Sequence, residues 1–346
     1  MSRGTRLANR VFTSGCAFLT RALDKAADGI IILNYHSVGD PAAQGIFPGN
    51  ALPTSLFRKE MNFVRRYCHP MSLDEVEFSL QSPSPLPRRA VAVTFDDGYK
   101  GVMDEALPIL KSLGIVASVF LPTDLIAEGR DKWEDRLSAA VLTTSATSLS
   151  VEIPGQGFEL CPLPDPASRH ALLRRICLPL SRRPSPETEQ RVDEIVRACA
   201  APPAPRSLLS PEEVSSLARN GFLLFGSHSA GHRPLSSLDD DELRDDLQRS
   251  IRRVSEWTRK ECAHFAYPFG GKDEIGPKAP EILRQSGITL ALTTCEGTVR
   301  KGDDRHLLRR VLAHPDDSFS RFTLKVLGGH DAYIRAQATL RSWARS

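Results

Sequence analysis

Two clusters of side chains in this sequence have the types and spacing that acid–base or metal-assisted chemistry uses. Asp96 and Asp97 stand side by side after the apolar run Ala90–Phe95, and Gly98 follows them. His228 and His232 lie four residues apart, directly after Phe222–Phe225. His36 likewise follows the apolar run Ile30–Tyr35. Neighbouring residues at a strand end point different ways, so one carboxylate can hold a cation while the other faces substrate as a base. A histidine pair at this spacing can present both imidazoles to one point. One aspartate and two histidines leave coordination positions open, the catalytic form of a zinc site rather than the structural one. The spare carboxylate can then take a proton from water activated beside the cation. The same donors also serve non-haem ferrous oxygenases. The HExxH zinc-protease pattern is excluded, because Ser229 stands where it needs glutamate.

The elements that must position these groups alternate. Buried strands are expected at 30–35, 90–95, 116–121, 222–226, 263–267, 288–293 and 307–312. The central one, Ala90–Phe95, has no polar alternation and so reads as covered on both faces. Helices are expected over 55–67, 72–80, 104–112, 238–259 and 277–286. Ser72 with Glu75 and Ser210 with Glu213 form capping-box starts, and Pro211 suits a first helical position. Strand–helix alternation with short connections implies parallel neighbours. It favours an α/β fold, a (β/α) barrel of seven strands with one place distorted or missing, over a sandwich; a doubly wound open sheet is the alternative. Residues 146–206 break the alternation. They are proline-rich, carry helical patterns near 167–178 and 186–200, and read as a mainly helical insertion peripheral to the barrel. The expected organisation is an N-terminal helical segment over 1–29, a barrel over 30–315 and a helical tail over 316–346. At a barrel's C-terminal rim, Asp96, Asp97, His228, His232 and His36 would gather.

Composition sets the outer limits. The chain has 346 residues with 41% apolar and 25% charged, enough for a large core. A net charge of +3 gives no reason to expect nucleic acid. The seven cysteines are scattered, without a CxxC pair, so neither a disulfide framework nor a cysteine zinc site is suggested. No apolar run is long enough to span a membrane. The basic N-terminus lacks the core and cleavage site of a signal peptide. The expected location is therefore cytoplasmic or peripheral to a membrane.

The segments Thr94-Phe95-Asp96-Asp97-Gly98 and His228-Ser229-Ala230-Gly231-His232 together resemble the polysaccharide deacetylase family with its NodB-type domain, over roughly 30–312 apart from the insertion. The resemblance implies a distorted seven-stranded barrel. It implies Asp96 as the general base, and Asp97, His228 and His232 as ligands of one divalent cation, zinc. The implied reaction is hydrolysis of an N-acetyl group from an amino sugar of a bacterial polysaccharide or its glycolipid precursor, so the expected partner is an N-acetylated glycan. Many members carry Arg-x-Pro-Tyr where this chain has Ala266-Tyr267-Pro268-Phe269. Arg310, in Leu308-Arg309-Arg310-Val311, is chosen in place of that arginine to orient Asp96. The Phe269 backbone N–H would still serve the oxyanion. The family's Leu-x-His acid motif has only an echo in Ala313-His314-Pro315. Tyr35-His36-Ser37-Val38 and the Tyr-Pro-Phe-Gly turn resemble the branch that includes poly-N-acetylglucosamine deacetylases, in which the early histidine takes the acid's part. His36 is therefore preferred to His314, and Tyr35, Tyr267 and Phe269 are taken as sugar-facing. Two other readings stand beside this one: hydrolysis of a small cyclic amide or ureide, and a non-catalytic glycan-binding module. The intact Asp96, Asp97, His228 and His232 argue against the second.

Overall fold

The computed structural model describes residues 29–153, 156–182 and 186–329. Seven parallel strands close a barrel: β1 (Ile30–Tyr35), β2 (Ala90–Phe95), β3 (Ala117–Leu121), β4 (Leu223–Ser227), β5 (His264–Ala266), β6 (Leu290–Glu296) and β7 (Leu308–Leu312). They neighbour one another in chain order, and β1 closes the ring by pairing with both β7 and β2. The β1–β2 ladder runs in register from Ile30↔Ala90 to Tyr35↔Phe95. His36 and Asp96 therefore leave the barrel side by side, and Asp96 N–H donates to the Tyr35 carbonyl at 2.9 Å.

Alternation along the strands divides the core in two. Ile30, Ile32, Ala90, Ala92, Phe120, Ala266, Leu290, Leu292 and Leu308 form one cluster, which fills the barrel. Ile31, Leu33, Tyr35, Val91, Val93, Phe95, Phe265 and Tyr267 belong to another, which packs beneath surrounding helices such as Thr54–Tyr67 and Asp240–Thr258. Burial on both faces is why these strands read as continuous apolar runs.

The barrel is irregular in three places, one of them a register shift between β6 and β7 over Leu292–Glu296. A short strand, His69–Met71, pairs with the first half of β2 while β3 pairs with its second half. Between β4 and β5 the ladder shrinks to a single pair, Phe265↔Ser227. Gly226 lies in that seam, where a Cβ would sit 2.6 Å from the His264 carbonyl oxygen. Residues 39–53, expected to be an irregular loop, contain short helical turns, and Ala51–Leu52 pairs with Ser37–Val38.

The insertion differs in part from expectation. Its helices, Pro166–Arg182 and Pro186–Cys199, follow an antiparallel hairpin of Ser148–Ile153 with Gly157–Pro162. The hairpin's inward residues Leu149, Val151 and Ile153 alternate with polar neighbours and share a separate core with Leu173, Ile176 and Leu137. No barrel strand comes from this region among the described residues. The expected helical segment over 1–29 lies outside the described residues but for Gly29. Of the expected tail over 316–346, the described part forms the helix Phe319–Leu324 and a further turn, Lys325–Gly329. Among the described residues no helix is long and apolar enough to cross a membrane.

Candidate active site

The C-terminal rim of the barrel surrounds a cavity of about 360 Å³, within the usual size of small-molecule sites. His36, Asp96, Asp97, His228, His232 and Phe269 line it from the rim. Each lies just past a strand, so the topology itself collects them.

Asp97 has a left-handed backbone, φ +72°, as do Ser229, His232 and Phe269. Such conformations are costly outside glycine and persist where the surroundings enforce them. Gly98 follows with φ +68°, and a Cβ there would lie 2.7 Å from Leu121 Cδ2. This turn sends Asp96 and Asp97 in different directions. Asp96 meets Arg310 in a two-pronged pair, Nη1 to Oδ1 at 2.8 Å and Nη2 to Oδ2 at 2.7 Å. Arg310 Nε also donates to the Thr293 carbonyl at 2.8 Å, which fixes the fork. Both side chains are buried. Burial alone would raise the Asp96 carboxyl, but the Arg310 guanidinium outweighs it and holds the group below the ordinary carboxylate range.

Asp97 turns to the histidines. Its Oδ1 lies 3.1 Å from His232 Nε2 and 3.5 Å from His228 Nε2, and is buried without a hydrogen-bond partner. One donor atom from each of the three residues falls within 4.8 Å of the others. His228 Nδ1 donates to the Ala266 carbonyl at 2.7 Å, which fixes the ring with Nε2 turned toward Asp97. Burial pushes His232 down to about 4, so its imidazole is neutral at ordinary pH. An orphaned carboxylate oxygen facing the Nε2 atoms of two histidines fits a divalent cation, and this nitrogen–oxygen donor set suits zinc.

The loop bearing both histidines is held from beneath. Asp246, buried on the helix Asp240–Thr258, accepts from Ala230 N–H at 2.8 Å and Gly231 N–H at 2.9 Å. Ser229 Oγ accepts from His232 N–H at 3.0 Å. Asp246 left a signal in the sequence: a carboxylate on the stripe of Leu243, Leu247 and Val254.

The other expected site residues divide. His36 lines the cavity; burial lowers its pKa, and the Asp97 and Asp96 carboxylates oppose that. Phe269 packs against the His232 ring, with centroids 5.3 Å apart. Tyr35 and Tyr267 do not face the cavity and are corrected to core residues. Both are buried on the outward face of their strands, with hydroxyls bound to Glu60 at 2.8 Å and to the His306 carbonyl at 2.8 Å. Strand alternation explains this: His36, one residue beyond Tyr35, turns inward, and so does Ala266 before Tyr267. His314 is half-buried beside Asp316 and is absent from the cavity lining.

Some lining residues escaped the sequence reading. Lys132, at the start of the helix Trp133–Thr143, places Nζ 2.6 Å from Asp97 Oδ2. Burial would lower this ammonium, but Asp97 outweighs it and raises the pKa; Lys132 in turn holds Asp97 far below its usual range against the effect of burial. Asn50 and Glu134 also line the cavity. Arg174 and Cys177 reach it from the insertion, which is therefore outside the barrel but not remote from the site.

The chain was compared with known proteins. The family model described as polysaccharide deacetylase matches residues 84–291. A stretch of 114 residues is 30% identical to the poly-beta-1,6-N-acetyl-D-glucosamine N-deacetylase of Escherichia coli (strain K12), taking in 32% of this chain and only 17% of that protein. Among solved structures, the Streptococcus pyogenes deacetylase PplD in complex with acetate superposes with a TM-score of 0.57 at 15% identity, over 86% of this chain and 98% of the other. IcaB from Ammonifex degensii gives 0.56 at 21% identity, over 87% and 97%. At these identities the two structures show a shared fold.

Proposed function

Because the chain belongs to the polysaccharide deacetylase family, matched over residues 84–291, we propose that it is a metal-dependent hydrolase that removes N-acetyl groups from amino sugars of a bacterial polysaccharide or its glycolipid precursor. The observation that carries this reading is the convergence of Asp97, His228 and His232 on one point, with Asp96 beside them in the grip of Arg310. The relative named as a poly-N-acetylglucosamine deacetylase supports the choice of substrate class.

Asp97, His228 and His232 would hold the divalent cation, which when bound supplies Lewis acidity to the amide carbonyl and the attacking water. Asp96 accepts the proton of that water, and Arg310 fixes both carboxylate oxygens so that the base keeps one orientation. The Phe269 N–H, which has no partner among the described residues, donates to the developing oxyanion. His36 gives a proton to the leaving nitrogen as the C–N bond breaks, so acetate and a free amine result. Asn50 and Glu134, which also line the cavity, offer polar atoms to sugar hydroxyls.

The test is direct. Purified protein should carry about one equivalent of metal and release acetate from N-acetylglucosamine oligosaccharides. Asp96→Asn should keep the metal and lose turnover. Metal-loaded wild-type protein that releases no acetate from such oligosaccharides would refute the reading.

A further inference from the structure

One buried charge at the site has no part in the chemistry above. Lys132 lies outside both motif segments, yet its Nζ is 2.6 Å from Asp97 Oδ2, with the two side chains only 6% and 1% exposed. The ammonium also lies 5.2 Å from the centre of the Tyr99 ring. Tyr99 is itself fixed, donating to Asp135 Oδ2 at 2.8 Å, and Asp135 Oδ1 accepts from Phe47 N–H at 2.8 Å. Lys132 therefore sits in a rigid cradle, and its contact with Oδ2 decides that Oδ1 is the oxygen left for the histidines.

The pairing also alters the charge of the site. Asp96 is matched by Arg310 and Asp97 by Lys132, the imidazoles add nothing when neutral, and burial pushes the neighbouring Glu134 and Asp135 carboxyls up to about 7 and about 6, which favours their uncharged forms. A site of one aspartate and two neutral histidines would otherwise present a net negative charge to an incoming cation. Between groups as buried as Lys132 and Asp97, a unit charge a few ångströms away is weakly screened and acts strongly on the energy of a divalent ion.

We propose that Lys132 is a positioning residue and counter-charge for Asp97: it pins Oδ2, leaves Oδ1 as the ligand atom, and cancels the ligand's charge, so that a bound divalent cation is held less tightly and polarises substrate more strongly. This rests on the hydrolase reading for its second half alone; metal affinity can be read without substrate.

The experiment uses the full chain. Zn²⁺ dissociation constants are measured by competition with a chromophoric chelator for wild type, Lys132→Met, Lys132→Gln and Lys132→Arg. Circular dichroism checks folding, and acetate release gives kcat and KM. Lys132→Gln keeps an N–H donor without the charge, and serves if the methionine variant does not fold. Lys132→Met and Lys132→Gln should both bind Zn²⁺ more tightly, by about ten-fold, because removing a positive charge beside the dication outweighs the loss of the pinned carboxylate, which alone would weaken binding. Their kcat should fall by a similar factor with KM little changed, and Lys132→Arg should stay near wild type in both. Weaker or unchanged Zn²⁺ binding in the two uncharged variants overturns the proposal, as does a glutamine variant that matches wild type. Wild-type protein that binds Zn²⁺ yet releases no acetate refutes the hydrolase reading and leaves the affinity comparison standing.

Discussion

Replacing Arg310 with methionine keeps most of the side-chain volume and removes the partner of Asp96. Both groups are buried, and the fork makes two short hydrogen bonds, 2.8 and 2.7 Å. Taking one member out of such a pair strands a charge in a dry interior and costs about 3–5 kcal/mol. Burial then acts on Asp96 with only His228 and His36 left to oppose it, so its carboxyl moves up from the wild-type position. The sign of the pH dependence follows. In wild type the folded pKa lies below the unfolded one, so the stabilisation is complete above 3.8 and is lost as pH falls through the folded value. The stability gap between wild type and Arg310→Met should therefore be widest near neutral pH and narrow in acid. Urea unfolding at several pH values measures it, with the midpoint falling at constant slope. Acetate release should drop sharply, with its acid limb displaced to higher pH, because the base now binds its proton more readily. Arg310→Lys keeps the charge without the fork and should fall between. A loss under about 1 kcal/mol, typical of exposed pairs, would refute this account, as would an unmoved acid limb.

Three further outcomes are expected. His232→Ala should lose most bound metal by elemental analysis; stoichiometric metal in the variant would remove His232 from the ligand set. His36→Ala should keep the metal, lower kcat and abolish the alkaline limb of the pH–rate profile, a limb that lies below the usual histidine range because burial lowers this imidazole. An intact limb in that variant, with a lost one in His314→Ala, would transfer the acid role. In metal-free protein, His232 takes its proton at about 4 when folded against 6.5 when unfolded. The stability it confers is thus complete above 6.5 and lost between 6.5 and about 4, a change of about 3 kcal/mol, and His232→Gln should flatten that part of the unfolding-versus-pH curve.

The strands were legible because a closed parallel barrel buries both their faces. β1 and β2 match their expected limits, and the others shift by one to three residues at an end. The hairpin Ser148–Ile153 with Gly157–Pro162 was missed because prolines and helical patterns dominate that region. Yet Leu149, Val151 and Ile153 alternate with polar residues, as a one-sided strand should. Tyr35 and Tyr267 were misplaced for a related reason: adjacency to a site residue in sequence means the opposite face on a strand. Lys132 was invisible from sequence, since nothing local to a lysine before a helix shows that it meets an aspartate 35 positions earlier. Arg310 was chosen to replace an arginine expected elsewhere, and the barrel's closure sets it against Asp96, 214 positions away in the chain.

The thin seam between β4 and β5 gives the two histidines unequal burdens. Only Phe265↔Ser227 pairs across it in the ladder. His228 Nδ1 adds a bond to the Ala266 carbonyl at 2.7 Å and so joins the same two strands through a side chain. His232 makes no such link; its backbone N–H bonds within its own loop, to Ser229 Oγ. As proposed ligands the two imidazoles are alike, but to the barrel one of them is also a rivet. Amide hydrogens flanking the seam, such as those of Phe265 and His228, should exchange faster when His228 is lost than when His232 is lost. Tolerance to mutation at this site is thus set twice, once by ligand chemistry and once by the continuity of the wall.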